Sequence, residues 1–90
     1  MCRILTTYSG KVQGVGYRWN VLKIAQSYQV SGYVKNLSSG RVEMLIEGER
    51  KEVNKLIFEV EEKLKEFWKT KEVEEKSGLP HYENFRILDY

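Results

Sequence analysis

Residues 11–20 read KVQGVGYRWN, with Gly14 and Gly16 two apart and Arg18 two residues later. Glycines reach backbone conformations in which successive N–H groups converge on one point, a nest for an anion. A helix beginning at Tyr17 adds its unpaired N-terminal N–H groups and the positive end of its dipole. An arginine in that first turn is electrostatically disfavoured unless it faces an anion, and its planar fork can hold two phosphate oxygens. The chemistry that unites these features is capture of a phosphate group. The same residues also suit a plain strand-to-helix turn with a solvated arginine, since short glycine motifs often match by chance. Two better-known phosphate motifs are excluded. A dinucleotide fingerprint has a small residue where Trp19 stands, and a P-loop ends in Gly-Lys-Ser/Thr.

Asn36 is the second candidate. Its amide can accept a hydrogen bond from a water while donating to a substrate oxygen. It can equally start the turn that runs through Ser38, Ser39 and Gly40. His81 is the sole histidine and has no Cys, Asp or Glu cluster around it, so it reads as a solvated side chain rather than a metal ligand or base. Trp19 and Trp68 read as helix residues at the rim of the core. Cys2 is the sole cysteine, which excludes an internal disulfide and a multi-thiol metal site, and disfavours a metal chaperone.

These residues need elements to position them. Arg3–Ser9 reads as a strand, with Thr6, Thr7 and Tyr8 suited to a pleated surface. Tyr17–Tyr28 reads as a helix whose apolar stripe is Tyr17, Val21, Ile24, Ala25 and Tyr28. Val30–Asn36 and Val42–Glu47 read as strands joined by a short turn, hence an antiparallel hairpin. Glu49–Trp68 reads as a second helix, with Val53, Leu56, Ile57, Val60, Leu64 and Phe67 at helical spacing. Lys71–Lys76 is a charged strand suited to a sheet edge, and Phe85–Tyr90 a last strand. The order β-α-β-β-α-β-β predicts an α+β fold, a ferredoxin-like sandwich. Two helices lie on one face of an antiparallel sheet of four or five strands.

Ninety residues suit a single domain spanning 1–90, and the 41% hydrophobic and 31% charged shares are those of a globular protein with well-solvated helix faces. A net charge of +2 is too small to argue for nucleic acid, though it favours the approach of an anion. The opening MCRILTTYSG is no signal peptide, and no apolar run approaches the roughly 20 residues of a membrane span. The expected location is the cytoplasm.

Together GKVQGVGYR and GYVKNLSSGRVE resemble the acylphosphatase signature, in order and at the family's separation, over about residues 3–60. The resemblance implies metal-free hydrolysis of acyl phosphates, without cofactor or covalent intermediate, on a small-molecule substrate, and a monomer is expected. It implies no nucleic acid and no membrane partner. By motif match, Arg18 would grip the phosphate, and the backbone amides of Gln13, Gly14, Val15, Gly16 and Tyr17 would cradle it. Asn36 would position the attacking water. Ser39 stands where the family commonly has Asp, and residues 69–84 replace the family's Gly-Pro-Pro stretch, which bears on the fourth strand and on acyl selection. Two other functions compete. An RNA-binding sandwich would need aromatics on its sheet, and RVEMLIE has none. A related domain opens the hydrogenase-maturation carbamoyltransferases, so the loop could bind an anion without turnover. A chain of this length favours the free-standing enzyme.

Overall fold

Inward and outward residues alternate along β1 (Cys2–Gly10) in the computed structural model, which describes residues 1–88. Ile4, Thr6 and Tyr8 are buried beneath the helices, while Arg3, Leu5 and Thr7 turn to the other face. The chain continues through α1 (Tyr17–Ala25), β2 (Val30–Asn36), β3 (Val42–Gly48), α2 (Arg50–Lys63), β4 (Trp68–Lys76) and β5 (Phe85–Leu88). The sheet order is β4-β1-β3-β2-β5. Val21, Ile24, Val53, Leu56 and Val60 of the helices share one core with Val34, Val42, Met44 and Ile46 of the sheet.

The expected order and sandwich are present, with one correction to the sheet. It is mixed rather than antiparallel, because β5 runs parallel to β2, with Gly32 opposite Phe85 and Lys35 opposite Leu88. β4 occupies one edge and β5 the other, so residues 77–84 must cross the whole sheet. Four strand spacings are about 19 Å. Eight extended residues reach about 27 Å. The crossing is therefore direct, and it delivers β5 in the direction of β2.

A buried carboxylate pins that crossing strap. Glu47 is fully buried and accepts from Arg3 Nε at 2.6 Å, from the His81 N–H at 3.0 Å and from the Tyr82 N–H at 3.0 Å. Arg3 Nη1 also donates to the Ser77 carbonyl at 2.9 Å. Burial by itself pushes the Glu47 carboxyl up. The Arg3 bond and charge and the two strap amides outweigh burial and hold it below the usual carboxylate range. Tyr82 then packs edge-on against Tyr33, with ring centroids 5.4 Å apart. The segment that departs from the family pattern thus lies across the sheet face on which RNA-binding sandwiches stack bases.

Both helices are shorter than their apolar periodicity predicts. α1 closes with tightened i to i−3 bonds, Ser27 N–H to Ile24 and Tyr28 N–H to Ala25, each 3.0 Å. α2 stops at Lys63 because Leu64 leaves helical geometry at φ −112° and ψ 17°. The turn to Phe67 brings Trp68 into β4 rather than the helix, where its ring lies 5.6 Å from Tyr8 and its indole N–H donates to the Glu61 carbonyl at 3.1 Å. Tertiary packing of two aromatics overrides local helix preference here. β4 is a charged edge strand, as expected, but starts three residues earlier. The strand expected to reach Tyr90 is seen to Leu88, and residues 89–90 lie outside the described residues.

Candidate active site

The loop between β1 and α1 is built on left-handed glycines. Gly14 and Gly16 both have φ 77°, a conformation that strains any residue with a Cβ. Space is not the reason for glycine at either position. A Cβ on Gly14 would meet nothing within 4 Å, and one on Gly16 only the Asn20 amide at 3.7 Å. Gly16 is the N-cap of α1, and the first intrahelical bond runs from the Asn20 N–H to its carbonyl at 3.0 Å. The first N–H groups of the helix precede that bond and lie outside the intrahelical ladder.

The two helices differ at their starts. α2 carries Glu52 in its first turn, whereas the first turn of α1 has no acidic residue; neither N-cap makes a side-chain bond. The positive end of the α1 dipole is thus left without an acidic neighbour in its own turn, and Arg18 adds a further positive charge. An anion is the complement of that arrangement.

Asn36 comes from the end of β2, and a side chain joins it to the loop. Gln13 Nε2 donates to the Leu37 carbonyl at 2.8 Å and to the Arg41 carbonyl at 2.9 Å. Those carbonyls flank the β2–β3 turn, which is closed by the Leu37 N–H to the Arg41 carbonyl at 2.8 Å. The glycine loop and the residue after Asn36 are therefore tied together. Sequence reading assigned Gln13 only a backbone amide. Its partners lie 24 and 28 residues away, so no local pattern could disclose the strut.

A cavity of about 340 Å³ opens at this junction, lined by Gly14, Gly16, Tyr17, Arg18, Asn36 and three apolar residues, Val12, Trp19 and Ile87. Of the seven residues read from sequence, Gly14, Gly16, Tyr17, Arg18 and Asn36 meet at this cavity. Gln13 and Val15 do not line it. Gln13 reaches to the hairpin, and Val15 packs against the core.

Three buried side-chain oxygens accept or donate no hydrogen bond among the described residues: Thr6 Oγ1, Tyr17 OH and Asn36 Oδ1. Thr6 does not reach the cavity. Tyr17 packs its ring 5.8 Å from that of Tyr8, and burial, with the nearby Glu61 charge, pushes its hydroxyl well above the usual phenol range. Its hydroxyl belongs to the core. Asn36 Oδ1 is thus the orphaned acceptor at the cavity wall, a costly group to bury without a partner.

His81 is exposed and sits in the strap beside Glu47, at the far end of β3 from Asn36. Among the described residues no three His, Cys, Asp or Glu side chains group as metal ligands, and no helix is long and apolar enough to cross a membrane.

Comparison with known proteins gives a consistent result. The family model for Acylphosphatase matches residues 5–87. A curated relative named Acylphosphatase, from Acaryochloris marina, is 59% identical over 49 residues, 54% of this chain and 53% of the relative. The chain spans about half the length of the curated relatives it matches. The crystal structure of acylphosphatase from Bacillus subtilis superposes with a TM-score of 0.86 at 29% identity, over 98% of this chain and 99% of that one. The T. kodakarensis HypF structure superposes with a TM-score of 0.83 at 27% identity, over 98% of this chain but 12% of HypF.

Proposed function

We propose the following reaction for this chain, which belongs to the acylphosphatase family: an acyl phosphate and water give a carboxylate and inorganic phosphate. The observation that carries the reading is the orphaned Asn36 Oδ1, at the same cavity as Gly14, Gly16 and Arg18.

The phosphoryl group lies in the loop, with the N–H groups of Gln13, Gly14, Val15, Gly16 and Tyr17 and the Arg18 fork on its oxygens. Asn36 Oδ1 accepts from a water and holds it in line with the bond from phosphorus to the acyl oxygen. The water oxygen attacks phosphorus. That P–O bond breaks, and its electron pair leaves with the carboxylate. The water's protons end on phosphate oxygens, the first taken directly by the substrate. A carboxylate is a good leaving group, so the barrier is mainly one of positioning and charge. Fixed N–H donors and the guanidinium meet the charge on the equatorial oxygens. This scheme asks for no base, which suits a sole histidine at the other end of the sheet.

The same reading has the chain act as a cytoplasmic monomer on a small-molecule substrate, without nucleic acid, membrane or cofactor. A single buried thiol, Cys2, suits a reducing compartment.

The test is hydrolysis of benzoyl phosphate by the purified chain with chelator present, beside Asn36→Ala. The expected result is turnover unaffected by chelator and reduced on the order of 10²–10³-fold in the variant, with inhibition by inorganic phosphate retained. A second reading is an anion-binding module without turnover, favoured by the likeness to a short part of HypF. Phosphate binding without hydrolysis in the unmutated chain would establish it instead.

A further inference from the structure

Trp19 is 59% exposed, although it stands in the first turn of α1 where a core-rim position was expected. Exposure of an indole of this extent leaves a large apolar surface in water. Five large apolar side chains are exposed among the described residues: Met1, Trp19, Phe58, Val73 and Leu79. Of these, Trp19 alone borders the candidate active site. The other tryptophan shows the contrast, since Trp68 is half-buried, packed at a tilt against Tyr8 and hydrogen-bonded.

The cavity wall is divided by chemistry. Gly14, Gly16, Arg18 and Asn36 form a polar part, and Val12, Trp19 and Ile87 an apolar part. Val12 is buried and Ile87 half-buried, so they supply a fixed floor, while the indole stands at the mouth. In the reaction proposed above, the phosphate needs only the polar part. An acyl phosphate is divided in the same way, a dianion joined to an organic group.

We propose that Trp19 is the specificity-determining residue, which selects acyl phosphates whose acyl group is flat and apolar, an aromatic acyl group above all. The inference rests on the reaction proposed above. An aromatic acyl group bound against Val12 and Ile87 offers its face or edge to the indole and removes both surfaces from water. An acetyl group offers one methyl and recovers little of that area. Arg18 and Asn36 serve both substrates alike, because they address the phosphoryl group common to both. The discrimination therefore lies with the apolar wall.

The experiment compares kcat/KM for benzoyl phosphate and acetyl phosphate in the unmutated chain, Trp19→Ala and Trp19→Phe. The unmutated chain should prefer benzoyl phosphate. In Trp19→Ala the benzoyl-to-acetyl ratio should fall about tenfold, carried mainly by KM, and Trp19→Phe should restore most of it. An equal loss on both substrates, or an unchanged ratio, overturns the proposal. If neither substrate is hydrolysed, the reaction itself is wrong. Calorimetry with benzylphosphonate and methylphosphonate then decides the role of the indole by itself. Tighter binding of the benzyl compound that disappears in Trp19→Ala upholds it, and equal binding of the two overturns it.

Discussion

Ser31 pairs with Glu47 near one end of the β2–β3 ladder, and Asn36 pairs with Val42 at the other. Both ends bury polar atoms, and the surroundings treat them in opposite ways. Glu47 is enclosed by Arg3 and by the His81 and Tyr82 amides, each 2.6–3.0 Å away. Asn36 Oδ1 is buried and accepts from none of the described residues. A buried charge is tolerated only when it is paired and hydrogen-bonded, so the Glu47 end is finished structure. An amide oxygen of a cavity-lining residue, buried and left without a partner, retains its capacity for a ligand or a water. The difference teaches how to separate two kinds of polar residue in one small sheet. Satisfied groups such as Glu47 fix the fold, and the reaction proposed above draws on the unsatisfied Asn36 at the cavity. Removal of the Asn36 amide should therefore change rates with little effect on stability, and removal of the Glu47 carboxylate the reverse.

The largest effect is expected from Arg18→Ala. The guanidinium is the charged group of the proposed phosphate site, and its loss removes charge stabilisation in both the ground state and the transition state. Turnover should fall by about 10³-fold or more. Competitive inhibition by inorganic phosphate should disappear with it, unlike in Asn36→Ala. Steady-state kinetics with phosphate as inhibitor measures both. Retained inhibition would place the anion elsewhere and break the comparison at its active end.

Glu47→Ala should cost about 3–5 kcal/mol of stability, because Arg3 is left in the sheet without its partner. The same variant should keep its kcat once folded, since the strap end lies far along β3 from Asn36. Urea unfolding and kinetics on one preparation test both halves. The pH dependence follows from the lowered carboxyl of Glu47. In the unfolded chain it binds a proton near the ordinary value of about 4.3. The folded state resists that proton, so the contribution is full above that value and is lost as pH falls through the lower, folded one. Acid titration of stability should show this loss, and Glu47→Gln should flatten it. A variant that unfolds with the same acid dependence as the original chain would contradict the pin.

The two ends also differ in how far the sequence disclosed them. Gly14, Gly16, Arg18 and Asn36 were readable because the loop and hairpin motifs are local, each contained within about ten residues. The helix stripes were readable for the same reason. Nothing local in the stretch Val42–Glu47 marks Glu47 as buried. Its burial arises from residues 77–84, which reach it only because β5 crosses to the far edge of the sheet. The parallel β5 and the Gln13 strut were hidden likewise, as properties of pairings more than twenty residues apart. Helix ends failed for a different reason. Phe67 extends the helical periodicity of α2, but packing of Phe67 and Trp68 on the core ends the helix first.

Gln13→Ala should sharpen the comparison within the active end itself. The variant removes two hydrogen bonds, at 2.8 and 2.9 Å, that hold the loop to the hairpin. Arg18 and the glycines remain, so phosphate inhibition should weaken little. The water that the proposed reaction places on Asn36 should lose its register with the phosphorus, and kcat should fall about tenfold, given the steep dependence of rate on placement. A purely structural role would lower the melting temperature and leave kcat of the folded enzyme in place. The split between kcat and phosphate inhibition distinguishes the two.

The smallest effect is a matched pair of glycine substitutions, one at each end. Gly14 has φ 77° and Gly78, in the strap, φ 100°. A Cβ on Gly14 would meet nothing within 4 Å, and one on Gly78 only Arg3 Nη1 at 3.9 Å, an ordinary contact. Neither substitution is crowded, so each should cost only the left-handed strain, about 1–2 kcal/mol of stability. Equal strain gives a controlled comparison, because general loosening of the fold acts on both variants. Relief of that strain in Gly14→Ala should re-aim the loop amides that the proposed reaction places on the phosphate. Its phosphate inhibition constant should rise several-fold, while that of Gly78→Ala stays at the original value. A parallel rise in both variants would mean that the loop reports global stability, and that its left-handed glycines serve only the turn.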